Sequence, residues 1–232
     1  MPCGELWREI EALSYFAGEG MVRLLDADPD QGVLLLERLL PGTALADLED
    51  DQCVTQVAAR VLQQLWKPVP VGHSLATVAE WAEGLTRLRA HFGGGYGPFP
   101  RALVDRAEGL FRDLLAPGTR PVLLHGDMHP VNVLRSERQP WLAIDPKGVV
   151  GDPLYDVATL LNGLSRWRTE SRPKDILERQ AHQVAEVLGF DRERVLAWGL
   201  AQIVLAGWWH FEDHGCGWEP AFALAELYAS LR

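Results

Sequence analysis

The block from residue 121 to residue 145 constrains the fold most. Three short β-like runs, PVLLHGD, VNVLRSE and PWLAID, follow one another there without a helical period between them. They interrupt a chain that reads as helix on both sides. Val54, Val57, Ala58, Val61, Leu62 and Leu65 recur at helical spacing, a long amphipathic helix that Pro68 and Pro70 terminate. Two further helical stretches are expected around residues 75–92 and 101–116, and helices resume after the block and continue to the C-terminus. Short strands gathered between helical segments make the fold class α+β.

The front of the chain repeats the mixture. Leu6, Ile10, Leu13 and Phe16 predict a short helix that Gly18 and Gly20 stop. MVRLLDAD, a DPDQG turn and VLLLERL then predict an antiparallel strand pair, ended by Pro41 and Gly42. HFGGGYGPFP is glycine-rich without being a phosphate loop. A helix rather than a strand precedes it and two prolines follow, so it is expected to be a connector.

Composition removes several functions. With 22 Lys+Arg against 32 Asp+Glu the net charge is −10, and the lysines are only Lys67, Lys147 and Lys174, so the basic clusters that nucleic-acid binding needs are absent. Hydrophobic residues at 47% and charged residues at 23% describe a globular chain, and an acidic surface favours a cationic partner. The longest nearly apolar stretch, Val195 to Trp209, is shorter than the roughly 20 residues of a membrane span and reads as a buried core helix. No secretory signal is visible, and Cys3, Cys53 and Cys216 are widely spaced, which leads us to expect a cytoplasmic protein without membrane attachment.

The chemistry concentrates in His125-Gly126-Asp127-Met128-His129-Pro130-Val131-Asn132 and in Trp141-Leu142-Ala143-Ile144-Asp145. A hairpin around SERQPW with 132 opposite 145 would set Asn132 and Asp145 about 5 Å apart at Cβ, where an amide oxygen and a carboxylate suit Mg²⁺. Asp127, at the turn into that hairpin, can face the same cavity as a base. Asp, then Asn, then an Asp at the end of the next strand is the arrangement kinases use to orient a hydroxyl and hold Mg-ATP, which points to phosphoryl transfer.

These residues also resemble the aminoglycoside phosphotransferases, and HGDMHPVNVL with WLAIDPKGVVGDPLYDVA is most similar to the streptomycin 6-kinase and hydroxyurea kinase group. The resemblance implies a protein-kinase-like fold with a truncated N-lobe, residues 1–42 carrying a helix, a strand pair and a hinge, and a helical C-lobe over 43–232. It implies Asp127 as catalytic base, Asn132 and Asp145 as magnesium ligands, ATP as co-substrate, and His125, Asp152 and Asp156 as support for the catalytic loop. Glu9 falls on the acidic partner of the family's ATP-binding lysine, and Leu34 to Leu39 resembles the hinge strand, with Glu37, Arg38 and Leu39 meeting the nucleotide. No lysine precedes Glu9, so weak ATP binding is expected, and an open sheet edge predicts either self-association through it or cover from a neighbouring segment. Lys147, the only lysine near the motif, is not expected to replace the absent one, and a local salt bridge is an equal reading of its role.

The implied reaction moves the γ-phosphoryl group of ATP to a hydroxyl of a cationic aminoglycoside such as streptomycin, with Glu212 and Asp213 as candidate substrate contacts beside Trp208 and Trp209. The alternatives are a catalytically weak binding module and a kinase of a small neutral metabolite. A metal hydrolase built on His125, Asp127 and His129 lacks the downstream motifs it would need, since His182, His210 and His214 fall in expected helices. GHSLA at residues 72–76 lacks the second glycine and the preceding strand of a nucleophile elbow.

Overall fold

The computed structural model describes residues 4–164 and 172–231; Cys3 lies outside the described residues. The chain opens with helix α1 (Gly4–Phe16), which buries Ala12, Leu13 and Phe16, the face its apolar spacing requires. Strands β1 (Leu24–Asp28) and β2 (Val33–Leu36) pair antiparallel, and the Asp28 carboxylate closes their turn by accepting from the Gln31 amide at 3.0 Å. The pair is shorter than its sequence suggests. Met21 and Val22 leave it to meet a later strand, and Glu37 to Leu39 follow β2 as irregular chain.

Strand β3 (Pro41–Ala44) crosses the boundary expected between residues 42 and 43 and leads through a 3-10 turn to α2 (Asp51–Leu65). The Asp50 carboxylate caps α2 by accepting from the amides of Gln52 and Cys53. Two-residue strands β4 (Lys67–Pro68) and β5 (Ala76–Thr77) precede α3 (Val78–Ala82), α4 (Gly84–His91) and α5 (Arg101–Leu114), so the stretch expected as one helix over 75–92 is two, broken at Glu83. The glycine-rich segment is the turn between α4 and α5, where Arg89 Nε donates to the Gly94 carbonyl at 3.1 Å.

The central block then supplies β6 (Val122–Leu124), β7 (Val133–Ser136), β8 (Trp141–Ala143) and β9 (Val149–Gly151). They divide between two sheets, one ordered β3-β7-β8 and one ordered β4-β6-β9-β5. The polar loop from His125 to Asn132 bridges the two sheets, because β6 belongs to one and β7 to the other. Helices α6 (Leu154–Gly163), α7 (Pro173–Leu188), α8 (Arg192–His214) and α9 (Glu219–Ser230) complete the fold. Helix α8 contains the apolar stretch expected as a core helix, with Trp198 and Trp208 almost fully buried between neighbouring helices. Burying one such side chain contributes about 2 kcal/mol. No helix among the described residues is long and apolar enough to cross a membrane.

Candidate active site

Asp127 stands in the loop after β6, and that loop is held from below. The buried Asp156 carboxylate, in the first turn of α6, accepts from the amides of His125 at 3.0 Å and Gly126 at 2.8 Å and from Trp66 Nε1 at 3.2 Å. Burial pushes Asp156 up to about 6, and these three donors partly offset it. Thr159 extends the brace: its hydroxyl accepts from the Met128 amide at 3.1 Å and donates to the Asp156 carbonyl at 2.9 Å. Asp152 accepts from the Leu154 amide at 2.9 Å and is ion-paired with Arg194, fixing the entry into α6.

The buried His125 ring ties the loop to β8. Its Nδ1 accepts from the Asp127 amide at 3.2 Å, so its proton sits on Nε2 and goes to the Ile144 carbonyl at 2.9 Å. Burial pushes His125 down to about 4, which keeps the ring neutral.

The hairpin register corrects the sequence expectation by one residue. Val133 faces Ala143 and Leu134 faces Leu142, and the Ile144 amide donates to the Asn132 carbonyl at 2.9 Å, so 132 lies opposite 144 and not 145. Asp145 comes one position past that pairing and takes φ +58°, which breaks the alternation of the strand and re-aims its side chain. Asn132 Nδ2 donates to the Asp127 carbonyl at 3.0 Å, which leaves its Oδ1 as the free end of the amide. Lys147 Nζ lies 3.1 Å from Asp145 and 3.3 Å from Glu5 of α1. Burial acts to lower Lys147, but these two carboxylates outweigh it and raise it. Glu9, half-buried on the same helix, is raised by burial first and by the charge of Asp145 second.

His129 is a partner the sequence placed only among rival metal ligands. Its Nε2 lies 2.8 Å from Asp127 Oδ1. Burial acts to raise Asp127, yet the His129 hydrogen bond and the positive charges of His129 and Lys147 hold it below the ordinary carboxylate range. Asp127 opens onto two cavities. One, of about 490 Å³, lies against α6, α8 and α9 and is lined by His129, Asn162, Gln202, Trp209 and His210 among others. The other, of about 400 Å³, is lined by Glu5, Arg8, Trp81 and Lys147. Gly126, Asp127 and Trp209 belong to both.

Other expected site residues lie elsewhere. Glu212 is ion-paired with Arg87 of α4 at 3.2 Å, Asp213 is exposed, and neither lines either cavity. The Glu37 carboxylate is gripped by Arg138 and by the Arg23 amide, which outweigh burial and lower it. Arg138 also donates to the carbonyls of Gly18 at 2.7 Å and Met21 at 2.9 Å, tying the hairpin turn to the front of the chain. Arg38 and Leu39 follow in irregular chain. Among the described residues, no three His, Cys, Asp or Glu side chains gather as a metal cage.

Comparison with known proteins bears on the family and the fold. Residues 4–215 match the family model of the aminoglycoside/hydroxyurea antibiotic resistance kinases. The chain is 36% identical over 228 residues to a streptomycin 6-kinase of Streptomyces glaucescens, covering 95% of this chain and 72% of that protein. It is 37% identical over 222 residues to a hydroxyurea phosphotransferase of Kitasatospora aureofaciens, covering 92% of this chain and 61% of that one. Its fold is similar to that of an aminoglycoside phosphotransferase of Streptomyces rimosus solved with ADP and streptomycin, at TM-score 0.61 and 17% identity, covering 87% of this chain and 83% of the other. The fold is therefore the α+β, protein-kinase-like one, and the chain belongs to the aminoglycoside/hydroxyurea antibiotic resistance kinase family.

Proposed function

We propose that this protein transfers the γ-phosphoryl group of ATP to a hydroxyl of an aminoglycoside such as streptomycin. The observation that carries the reading is Asp127, held by its loop at the junction of two cavities and kept in its charged form. A charged carboxylate at that position orients the acceptor hydroxyl and takes its proton as the phosphoryl group transfers. Asn132 and Asp145 fit a magnesium ion, because the Asn132 amide is turned so that its oxygen is free and the Asp145 carboxylate is a second hard donor. The ion would supply charge neutralisation for the phosphates and take its remaining ligands from phosphate and water. The backbone after β2, from Glu37 to Leu39, is where the nucleotide base would meet the chain.

Lys147 supports the same reading. It sits beside Asp127 and Asp145 in the smaller cavity, where its charge offsets the carboxylates and faces the path of the transferring group. A second reading, a small neutral hydroxylated acceptor, draws on the larger cavity, whose lining mixes amide, imidazole and indole groups with aliphatic side chains such as Ile203 and Leu224, and where Asp127 is the only carboxylate among the described residues.

The test is Asp127→Asn with streptomycin and Mg-ATP. Removing the base should lower kcat by about a thousandfold or more while nucleotide binding and the melting temperature stay close to wild type. Unchanged turnover would reject Asp127 as the base.

A further inference from the structure

The larger cavity contains a polar chain that phosphoryl transfer as such does not use. Asn162 Nδ2 lies 3.2 Å from the Gly199 carbonyl and 2.6 Å from Gln202 Oε1, and the Tyr228 hydroxyl lies 2.8 Å from Asn162 Oδ1. A backbone carbonyl only accepts, so Gly199 fixes which end of the Asn162 amide is the NH₂ group. That leaves Oδ1 to accept from Tyr228 and requires Gln202 to present its oxygen to Asn162. The Gln202 NH₂ group is thereby turned away from the chain that orients it. Gly199 is needed for this packing, since a Cβ there would come within 2.5 Å of the Tyr228 ring.

Gln202 is 6% exposed and lines the cavity with Asp127. A buried amide donor costs stability unless it is bonded. The Tyr155 hydroxyl is itself buried without a hydrogen-bond partner among the described residues, so it does not tie this amide down. The Gln202 NH₂ hydrogens are left for whatever fills the cavity. An NH₂ donor repels cations and attracts oxygens, so this wall selects for an oxygen. A hydroxyl held only by Asp127 is free to swing, whereas a second anchor on the same molecule fixes its direction.

We propose that Gln202 is a specificity-determining residue whose Nε2 binds an oxygen adjacent to the reacting hydroxyl, so that the site selects acceptors with neighbouring oxygens, as on a polyhydroxylated ring. Asn162 and Tyr228 are positioning residues that aim this donor. The inference rests on the proposed function, because it takes the larger cavity as the acceptor site.

The experiment compares wild type with Gln202→Met on two acceptors, streptomycin and a streptomycin derivative deoxygenated at the carbon beside the phosphorylated one. With streptomycin, Gln202→Met should lower kcat/KM about tenfold, mainly through KM. With the derivative, both enzymes should share the same low value, because the missing oxygen leaves Gln202 nothing to bind. Tyr228→Phe should give a smaller loss with the same acceptor dependence. Unchanged kcat/KM on streptomycin, or equal loss on both acceptors, would overturn the proposal, the latter being the mark of a merely structural role. If Gln202→Met does not fold, Gln202→Glu keeps the oxygen facing Asn162, removes the donor, and must show the same dependence. Wild type that neither binds nor phosphorylates streptomycin would sink the proposed function and this inference together; active wild type with an indifferent Gln202 would sink this one alone.

Discussion

His129 sets the character of Asp127, the base we propose. Its ring nitrogen, 2.8 Å from Oδ1, favours the carboxylate form and pins that oxygen, so an acceptor hydroxyl would approach Oδ2, which accepts only a long contact of 3.4 Å from Asn132 Nδ2. Gly163 makes room for that ring, since a Cβ there would lie 2.1 Å from His129 Nδ1. In His129→Ala the donor disappears while the burial that raises Asp127 remains, so the carboxylate should protonate at higher pH. The acid limb of the kcat/KM profile should therefore move upward; a limb that stays in place would show that His129 does not tune the base. Nothing in the pattern His-x-Asp-x-His distinguishes this role from metal ligation, because only the loop geometry turns His125 inward to Ile144 and His129 onto Asp127.

His125 and Asp156 oppose each other in acid. The depressed His125 makes stability rise with pH between about 4 and 6.5, since the unfolded chain binds the extra proton there. The raised Asp156 makes stability fall with pH between 3.8 and about 6, since the folded chain binds it. The two contributions are each on the order of 3 kcal/mol and nearly cancel. Asp156→Asn should expose the His125 contribution, with a stability deficit that is largest near pH 4 and shrinks toward pH 6.5 in denaturant titrations. A deficit that grows with pH over this window would contradict the assignment.

At the scale of elements, the sequence shows the long features and hides the short ones. The amphipathic period of α2 and the apolar run of α8 are legible because each repeats over several turns. Strands β4 and β5 have two residues each, too few to carry a period, and are defined only by their partners β6 and β9. Met21 and Val22 read as the start of β1 because local pattern does not reveal that Ala143 competes for their backbone. The one-residue slip in the β7-β8 register has a similar origin, since the left-handed Asp145 lets the chain turn before the pairing expected from the loop length.

The β1-β2 hairpin carries a consequence for association. Among the described residues its strands pair only with each other, and Leu25, Val33 and Leu35 are more than half exposed, at 58%, 55% and 56%. Open edges and exposed apolar side chains favour pairing with a second copy, the association we propose for this element. Val33→Lys with Leu35→Lys should reduce concentration-dependent association in sedimentation velocity. A wild-type chain that sediments as a monomer at every concentration would reject it.

For the whole molecule, the candidate catalytic loop is legible because Asp127, Asn132 and Asp145 are close in sequence and unusually polar for their apolar surroundings. The acceptor wall is not legible. Asn162, Gln202 and Leu224 are ordinary residues on separate helices, and only the packing of α6, α8 and α9 brings them to Asp127. The acidic pair Glu212 and Asp213 has the opposite fate, conspicuous in sequence but directed to Arg87 and solvent rather than to the cavity. A single loop held by Asp156, His125 and Thr159 thus joins both sheets to the helical half, and the proposed chemistry depends on that junction. The most direct measurement is ³¹P NMR of the wild-type chain with Mg-ATP and streptomycin. ADP should appear together with a stoichiometric phosphate monoester on streptomycin; ATP consumed without such an ester, or not consumed at all, would contradict the proposed transfer.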